Sequence, residues 1–127
     1  MAQTRIPELR EAESRKALSE AVSALLERWQ LDEKDQLALL GLTDASKLAS
    51  YRQGAPLGKD RELLERVGYL LAIDRALQAI YPLAPEMRDR WIKMKDVSLG
   101  NKTPLEVVRL QGVSGLRKVR RQLETGR

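Results

Sequence analysis

The side chains with the most chemical character crowd one short stretch: Arg117, Lys118, Arg120 and Arg121. Guanidinium and ammonium groups at that density pair with carboxylates or phosphates; by themselves they make and break no bonds. The residue types that would do so are missing. The 127-residue chain has no histidine, the commonest general base and metal ligand, and no cysteine. It carries no nucleophile–base pair and no glycine-rich phosphate loop, and its carboxylates are dispersed among basic residues as surface pairs normally are. An enzyme is therefore not expected, and no catalytic residue, metal site or cofactor is assigned.

The formal net charge of +5 is unevenly distributed. Residues 1–29 hold five basic and five acidic side chains, and residues 30–99 hold eleven of each. Residues 100–127 hold Lys102, Arg109, Arg117, Lys118, Arg120, Arg121 and Arg127 against Glu106 and Glu124, so the whole surplus lies there. Such an excess fits an anionic partner surface. It also fits a solvated helical face that maintains solubility, and composition leaves both readings open.

The elements that must position these cations are helices. Leu, Glu, Lys, Arg and Ala abound, β-branched runs are missing, and aromatics make up only 4% of the chain with no Phe. This predicts an all-α protein whose core is built from Leu, Val, Ile and Ala. The absence of cysteine fits a reducing cytoplasm. No run approaches the ~18 apolar residues of a membrane span, and residues 1–10 lack the pattern of a secretory leader. A cytoplasmic protein without membrane contact is expected.

Residues 60–81 form the longest periodic stretch. Leu63, Leu64, Val67, Leu70, Leu71, Leu77 and Ile80 share the spacing of one helix face, Asp60 stands as its N-cap and Pro82 stops it. About 22 residues at ~1.5 Å each give a rod of roughly 30 Å, long enough to carry two sets of shorter helices.

Residues 1–14 are polar and charged, with Pro7 able to open a helix at its first turn, and a partly frayed start is expected. From Arg15 onward, Leu18, Val22, Leu25, Leu26 and Trp29 define a first core helix, with Trp29 a core anchor. Asp32 caps a second helix with Leu31 as a staple, and Gly41 ends it in the left-handed region. Thr43 or Asp44 caps a third helix that turns Leu48 and Tyr51 inward and ends before Gly54. After the long helix, Pro85 opens a helix carrying Met87, Trp91 and Ile92 and running out through residues 93–97. Gly100 and Asn101 make a turn tolerant of positive φ. Thr103, Pro104 and Glu106 make a capping box for a helix holding Leu105, Val108 and Leu110, which Gly112 ends. Val113 or Ser114 starts the last helix, whose inner face is Leu116, Val119 and Leu123.

Two resemblances emerge from these residues. Gln36, Leu37, Ala38, Leu39, Leu40, Gly41 and Leu42, followed by Tyr51, Arg52, Gln53 and Gly54, resemble the Xre-type helix-turn-helix. Arg90, Trp91 and Ile92, the run Leu99, Gly100, Asn101, Lys102, Thr103, Pro104, Leu105 and Glu106, and then Gly112, Val119, Leu123 and Gly126 resemble the toxin-binding domain of the Xre/MbcA/ParS antitoxin family. Together they cover about residues 15–127. They imply an Xre-like helix-turn-helix bundle over residues 15–72, joined through the long central helix to a small helical toxin-binding module over residues 73–127.

The resemblance further implies a bacterial type II antitoxin. Its partner would be a RES-domain toxin acting on NAD, as an NAD-consuming enzyme or an ADP-ribosyltransferase, with the C-terminal helix blocking that toxin's active site. Arg117, Arg120, Arg121 and Arg127 would then be polar anchors of the toxin contact and Leu123 its apolar anchor, with Gly126 beside them. Val119 would face the domain's own core. A homodimer within a toxin–antitoxin hetero-oligomer and repression of the protein's own operon are also implied. For operator DNA the third helix offers only Lys47 and Arg52, with Asp44 facing any phosphate at its start, so DNA binding through it is expected to be weak. The alternative is a helix-turn-helix transcriptional regulator whose main partner is DNA.

Overall fold

The stripe of residues 60–81 becomes the helix on which the others rest. The computed structural model describes the backbone of residues 2–125 and the side chains of residues 11–125. Within it run α1 (Ala2–Arg28), α2 (Glu33–Leu40), α3 (Ala45–Arg52), α4 (Arg61–Ile80), α5 (Pro85–Arg90), α6 (Pro104–Gln111) and α7 (Val113–Thr125). Two 3-10 turns, Trp91–Lys93 and Val97–Leu99, link α5 to α6, and the described residues contain no strand. The protein is all-α.

Asp60 caps α4 as its sequence implies, its carboxylate accepting a hydrogen bond from the Leu63 amide at 3.1 Å. The buried face of α4 is Leu63, Arg66, Val67, Leu70, Ile73 and Leu77. Ile73 belongs to it, whereas Leu64, Leu71 and Ile80 are only half-buried at its margins. The stripe read from sequence is too wide at both edges because α1 and α7 cover a narrower track. Against this face pack α1, through Val22, Leu25, Leu26 and Trp29, and α7, through Leu116, Val119 and Leu123. One cluster of buried side chains runs from Val22 to Leu123, and α4 passes unbroken through the boundary expected at residues 72 and 73.

The helix starts obey local chemistry. Asp32 accepts from the Asp35 amide at 2.8 Å, and Gly41 ends α2 at φ 68°. Asp44, rather than Thr43, caps α3 by accepting from the Ser46 amide at 2.9 Å. Helix α1 runs from Ala2, so the apolar stripe that sets in at Arg15 occupies the later part of a longer helix. Its leading part holds good helix formers but lacks that stripe. From Arg15 onward α1 clamps the end of α3 and the segment after it. Arg15 Nη1 donates to the Leu57 carbonyl at 2.7 Å, and Ser19 Oγ donates to the Tyr51 carbonyl at 3.1 Å.

Two expectations fail between α4 and α7. The helix opened by Pro85 ends at Arg90 and passes directly into a 3-10 turn, so Ile92 is buried by a tightened turn and not by a continuing helix. In α6 the inward residues are Leu105, Val107 and Val108, while Leu110 is 69% exposed. In a helix this short, α2, α7 and the 3-10 turn cover one side only, and Leu110 projects away from it.

The capping box of α6 forms in full. Glu106 N donates to Thr103 Oγ1 at 3.0 Å, and the Glu106 carboxylate accepts from the Thr103 amide at 3.1 Å. That backbone hydrogen bond holds the Glu106 carboxyl below its ordinary pKa. A carboxyl lowered on folding stabilises the fold above the ordinary carboxylate range, and this contribution is lost as the pH falls through it. Thr103→Ala is expected to cost about 1 kcal/mol. Glu106→Gln should melt below the parent near neutrality, and the gap between the two should close on acidification. Thermal melts across the acid range check this; a gap independent of pH would contradict it.

Candidate functional site

Because α6 ends at Gly112 with φ 61° and α7 begins at the next residue, the two helices pack closely and fix which side of α7 is outward. Gly115, Leu116, Val119 and Leu123 turn inward. At about 100° per residue, Arg117, Lys118 and Arg121 must then point outward and Arg120 lie at the margin. Arg117, Lys118 and Arg121 are indeed exposed, and Arg120 is half-buried against α4.

Four of the residues expected to form the contact surface thus fall within the described chain: Arg117, Arg120, Arg121 and Leu123. Gly126 and Arg127 lie outside the described residues. The three arginines share one side of the helix, but Leu123 does not join them. It is 9% exposed and packs with Leu116 and Val119 on the protein's own core, since its angular position places it on their side. In the free chain Leu123 is thus a core residue, apart from the arginines with which it was grouped.

What the sequence did not disclose is the contribution of α4. Tyr69, half-buried, sits beneath two of the arginines. Arg117 Nε donates to the Tyr69 hydroxyl at 3.1 Å, and a terminal nitrogen of Arg117 lies 3.9 Å from the Glu65 carboxylate. The Arg120 guanidinium stands 5.7 Å from the centroid of the Tyr69 ring, while its Nε donates to Glu124 at 2.7 Å. The Tyr69 hydrogen bond, with Glu65 nearby, raises the Arg117 pKa above its ordinary value. Arg121 and Lys118 make no ion pair among the described residues. The only hint in the sequence is the one-turn spacing of Glu65 and Tyr69 on an otherwise unremarked flank of α4.

Other cations have structural duties. Arg109 pairs with Asp35, tying α6 to α2, and Arg28 pairs with Asp74 at 3.0 Å, tying α1 to α4. Lys93 Nζ donates to the Gln30 carbonyl at 2.8 Å.

The two residues expected to meet DNA, Lys47 and Arg52, lie on α3. Both are exposed there, and Arg52 Nε lies 3.3 Å from Gln36 Oε1 and 3.7 Å from the Glu27 carboxylate. At the start of α3 the Ser46 side chain and amide hydrogen-bond to Asp44 and lower its pKa, so an anion is fixed there. Among the described residues no group of three acidic, His or Cys side chains gathers as metal ligands would. No helix of the described chain is long and apolar enough to cross a membrane.

Comparison with protein-family models and with curated proteins returns no match for this sequence. The functional reading therefore rests on the residues themselves.

Proposed function

We propose that this protein is the antitoxin of a bacterial type II toxin–antitoxin pair and that it binds and inhibits a RES-domain toxin acting on NAD through the outward face of α7. The observation that carries the reading is the division of α7 into two sides. Its apolar side is consumed by the protein's own core, and its other side presents Arg117, Lys118, Arg120 and Arg121 together. A helix anchored that firmly can offer its cations to a partner without unfolding. The resemblance of residues 90–126 to a toxin-binding domain supplies the identity of that partner. In this reading α2 and α3 form a degenerate Xre-type helix-turn-helix, the protein dimerises through its N-terminal half, and repression of its own operon is secondary.

DNA as the main partner is less well supported, because Arg52 is committed to Glu27 and Gln36 and Asp44 faces outward. Few phosphates could then be neutralised by α3, and phosphate contacts dominate DNA affinity.

The test is co-expression with the RES-domain protein encoded beside the gene. The two chains are expected to co-purify, and NAD loss caused by the toxin alone should stop in the complex. Independent elution of the two chains with undiminished NAD loss would reject the reading. Nanomolar binding of an upstream duplex at physiological salt, abolished by changing Lys47 and Arg52, would favour the regulator instead.

A further inference from the structure

We propose that Tyr69 is the centre of a preorganised carboxylate-recognition surface spanning α4 and α7, which reads discrete acidic side chains on a folded protein partner. The identity of that partner as the toxin rests on the reading above; the surface itself rests on the geometry.

Tyr69 holds two long side chains one helical turn apart on α7. Arg117 is fixed through its Nε by the Tyr69 hydroxyl at 3.1 Å, and Arg120 is fixed over the Tyr69 ring at 5.7 Å and by Glu124 at 2.7 Å. In both guanidiniums Nε makes the internal hydrogen bond, while a terminal nitrogen of Arg117 also lies 3.9 Å from the Glu65 carboxylate. The two terminal nitrogens of a guanidinium form one of the edges that can take a carboxylate bidentately. Ordering a flexible arginine normally subtracts from affinity, and here that ordering precedes binding. Tyrosine and arginine are also the residue types in which binding energy concentrates at protein interfaces.

The arrangement of charge selects the class of partner. Glu65 and Glu124 stand beside Arg117 and Arg120, so positive potential is broken into separate spots. A nucleic-acid backbone needs an uninterrupted track of cations, and the interleaved carboxylates oppose it. A folded acidic surface can place its carboxylates at the arginines and avoid the glutamates. Arg121 and Lys118, exposed on the same helix, extend the surface outward.

The test uses the full chain and three probes: a hexaglutamate peptide, the RES-domain protein, and a random-sequence DNA duplex. Hexaglutamate is expected to move the NMR signals of Tyr69 and of the Arg117, Arg120 and Arg121 side chains ahead of those of Arg90, Lys93 and Lys95. Tyr69→Ala should weaken binding of both hexaglutamate and the RES-domain protein by about tenfold, the loss typical of an interface anchor. Tyr69→Phe, which keeps the ring under Arg120 and loses the hydroxyl, should fall between parent and Tyr69→Ala. Tyr69→Phe keeps the ring packed against the core and should melt close to the parent, so it separates recognition from folding, whereas Tyr69→Ala also loses core packing.

Binding by Tyr69→Ala or Tyr69→Phe that is indistinguishable from the parent's would overturn the proposal. So would an equal response of cations across the whole molecule, or a duplex that binds this face more tightly than hexaglutamate does. If hexaglutamate binds here as described and the RES-domain protein does not bind at all, the surface stands and the antitoxin reading fails.

Discussion

A chain carrying Arg120→Glu together with Arg121→Glu should release the NAD-consuming activity of the co-purified toxin while melting close to the parent. The two halves of this expectation come from different environments. Within the fold, Arg120 contributes one pair with Glu124 on the same helix and a contact over the Tyr69 ring of about 0.5–1 kcal/mol, and Arg121 makes no ion pair among the described residues. Such pairs carry only about 0.3–0.5 kcal/mol, and a like charge one turn from Glu124 costs a similar amount. At an interface the magnitudes differ. Truncating one partner of a desolvated charge pair typically costs about 2–5 kcal/mol, chiefly by faster dissociation, which corresponds to roughly 30- to 4,000-fold in Kd. NAD consumption by the mixture and a melting curve of the free variant are the two measurements. Full inhibition retained by this variant would move the inhibitory surface away from α7.

The same substitution, Gly→Ala, is expected to have opposite signs at two positions. A β-carbon added at Gly115 would lie 2.6 Å from the Val107 carbonyl oxygen, 3.0 Å from the Val108 α-carbon and 3.1 Å from the Val107 carbonyl carbon. All three are backbone atoms of α6, so no side chain can swing aside. The two helices would have to separate, dragging Leu116 and Val119 out of register with α4. Overpacking of this kind costs about 1–3 kcal/mol or more, which exceeds the gain of about 1 kcal/mol in helix propensity from Gly to Ala. Gly68, exposed on the middle of α4, has no atom within 4 Å of the added carbon. There the propensity gain acts alone, and Gly68→Ala should stabilise by about 0.5–1 kcal/mol. Chemical denaturation of the two variants decides it. Two variants of equal stability would refute the close approach of α6 and α7.

Much of the helical architecture was legible because it is written locally. Asp32, Asp60, Thr103, Pro104, Gly41, Gly100 and Gly112 act within a few residues of themselves, and each marks a helix end or turn as expected. The long-range contacts were not legible. Arg66 lies inside the apolar stripe of α4 and is 9% exposed; it donates to the carbonyls of Ala38 and Leu39, each at 3.2 Å, where α2 ends. A β-carbon at Gly41 would fall 2.6 Å from its guanidinium, and one at Gly112 would fall 3.2 Å from its terminal nitrogen. One buried arginine therefore occupies space that two distant glycines leave, a relation that no local periodicity encodes. At the candidate site the cations were visible as a charge excess. Tyr69 was invisible for the same reason as Arg66: its partners on α7 are 48 and 51 positions away. The core position of Leu123 was not legible because an apolar residue beside cations reads equally as core or as contact until the helix phase is known.

The two-sidedness of α7 has a consequence for how such a protein can diverge. Substitutions on its outward side leave the core untouched, and surface changes of that kind usually alter stability by less than about 0.5 kcal/mol. Partner preference can therefore drift through positions 117, 118, 120 and 121 while the fold remains constant. Positions 65 and 69 on α4 are less free, since they hold two of those side chains in place. A paralogue that had switched to a new partner would keep Gly115, Leu116 and Val119 and would change the outward positions in concert with 65 and 69. Under the recognition surface proposed above, two copies of this fold would be distinguished only by which acidic pattern each accepts.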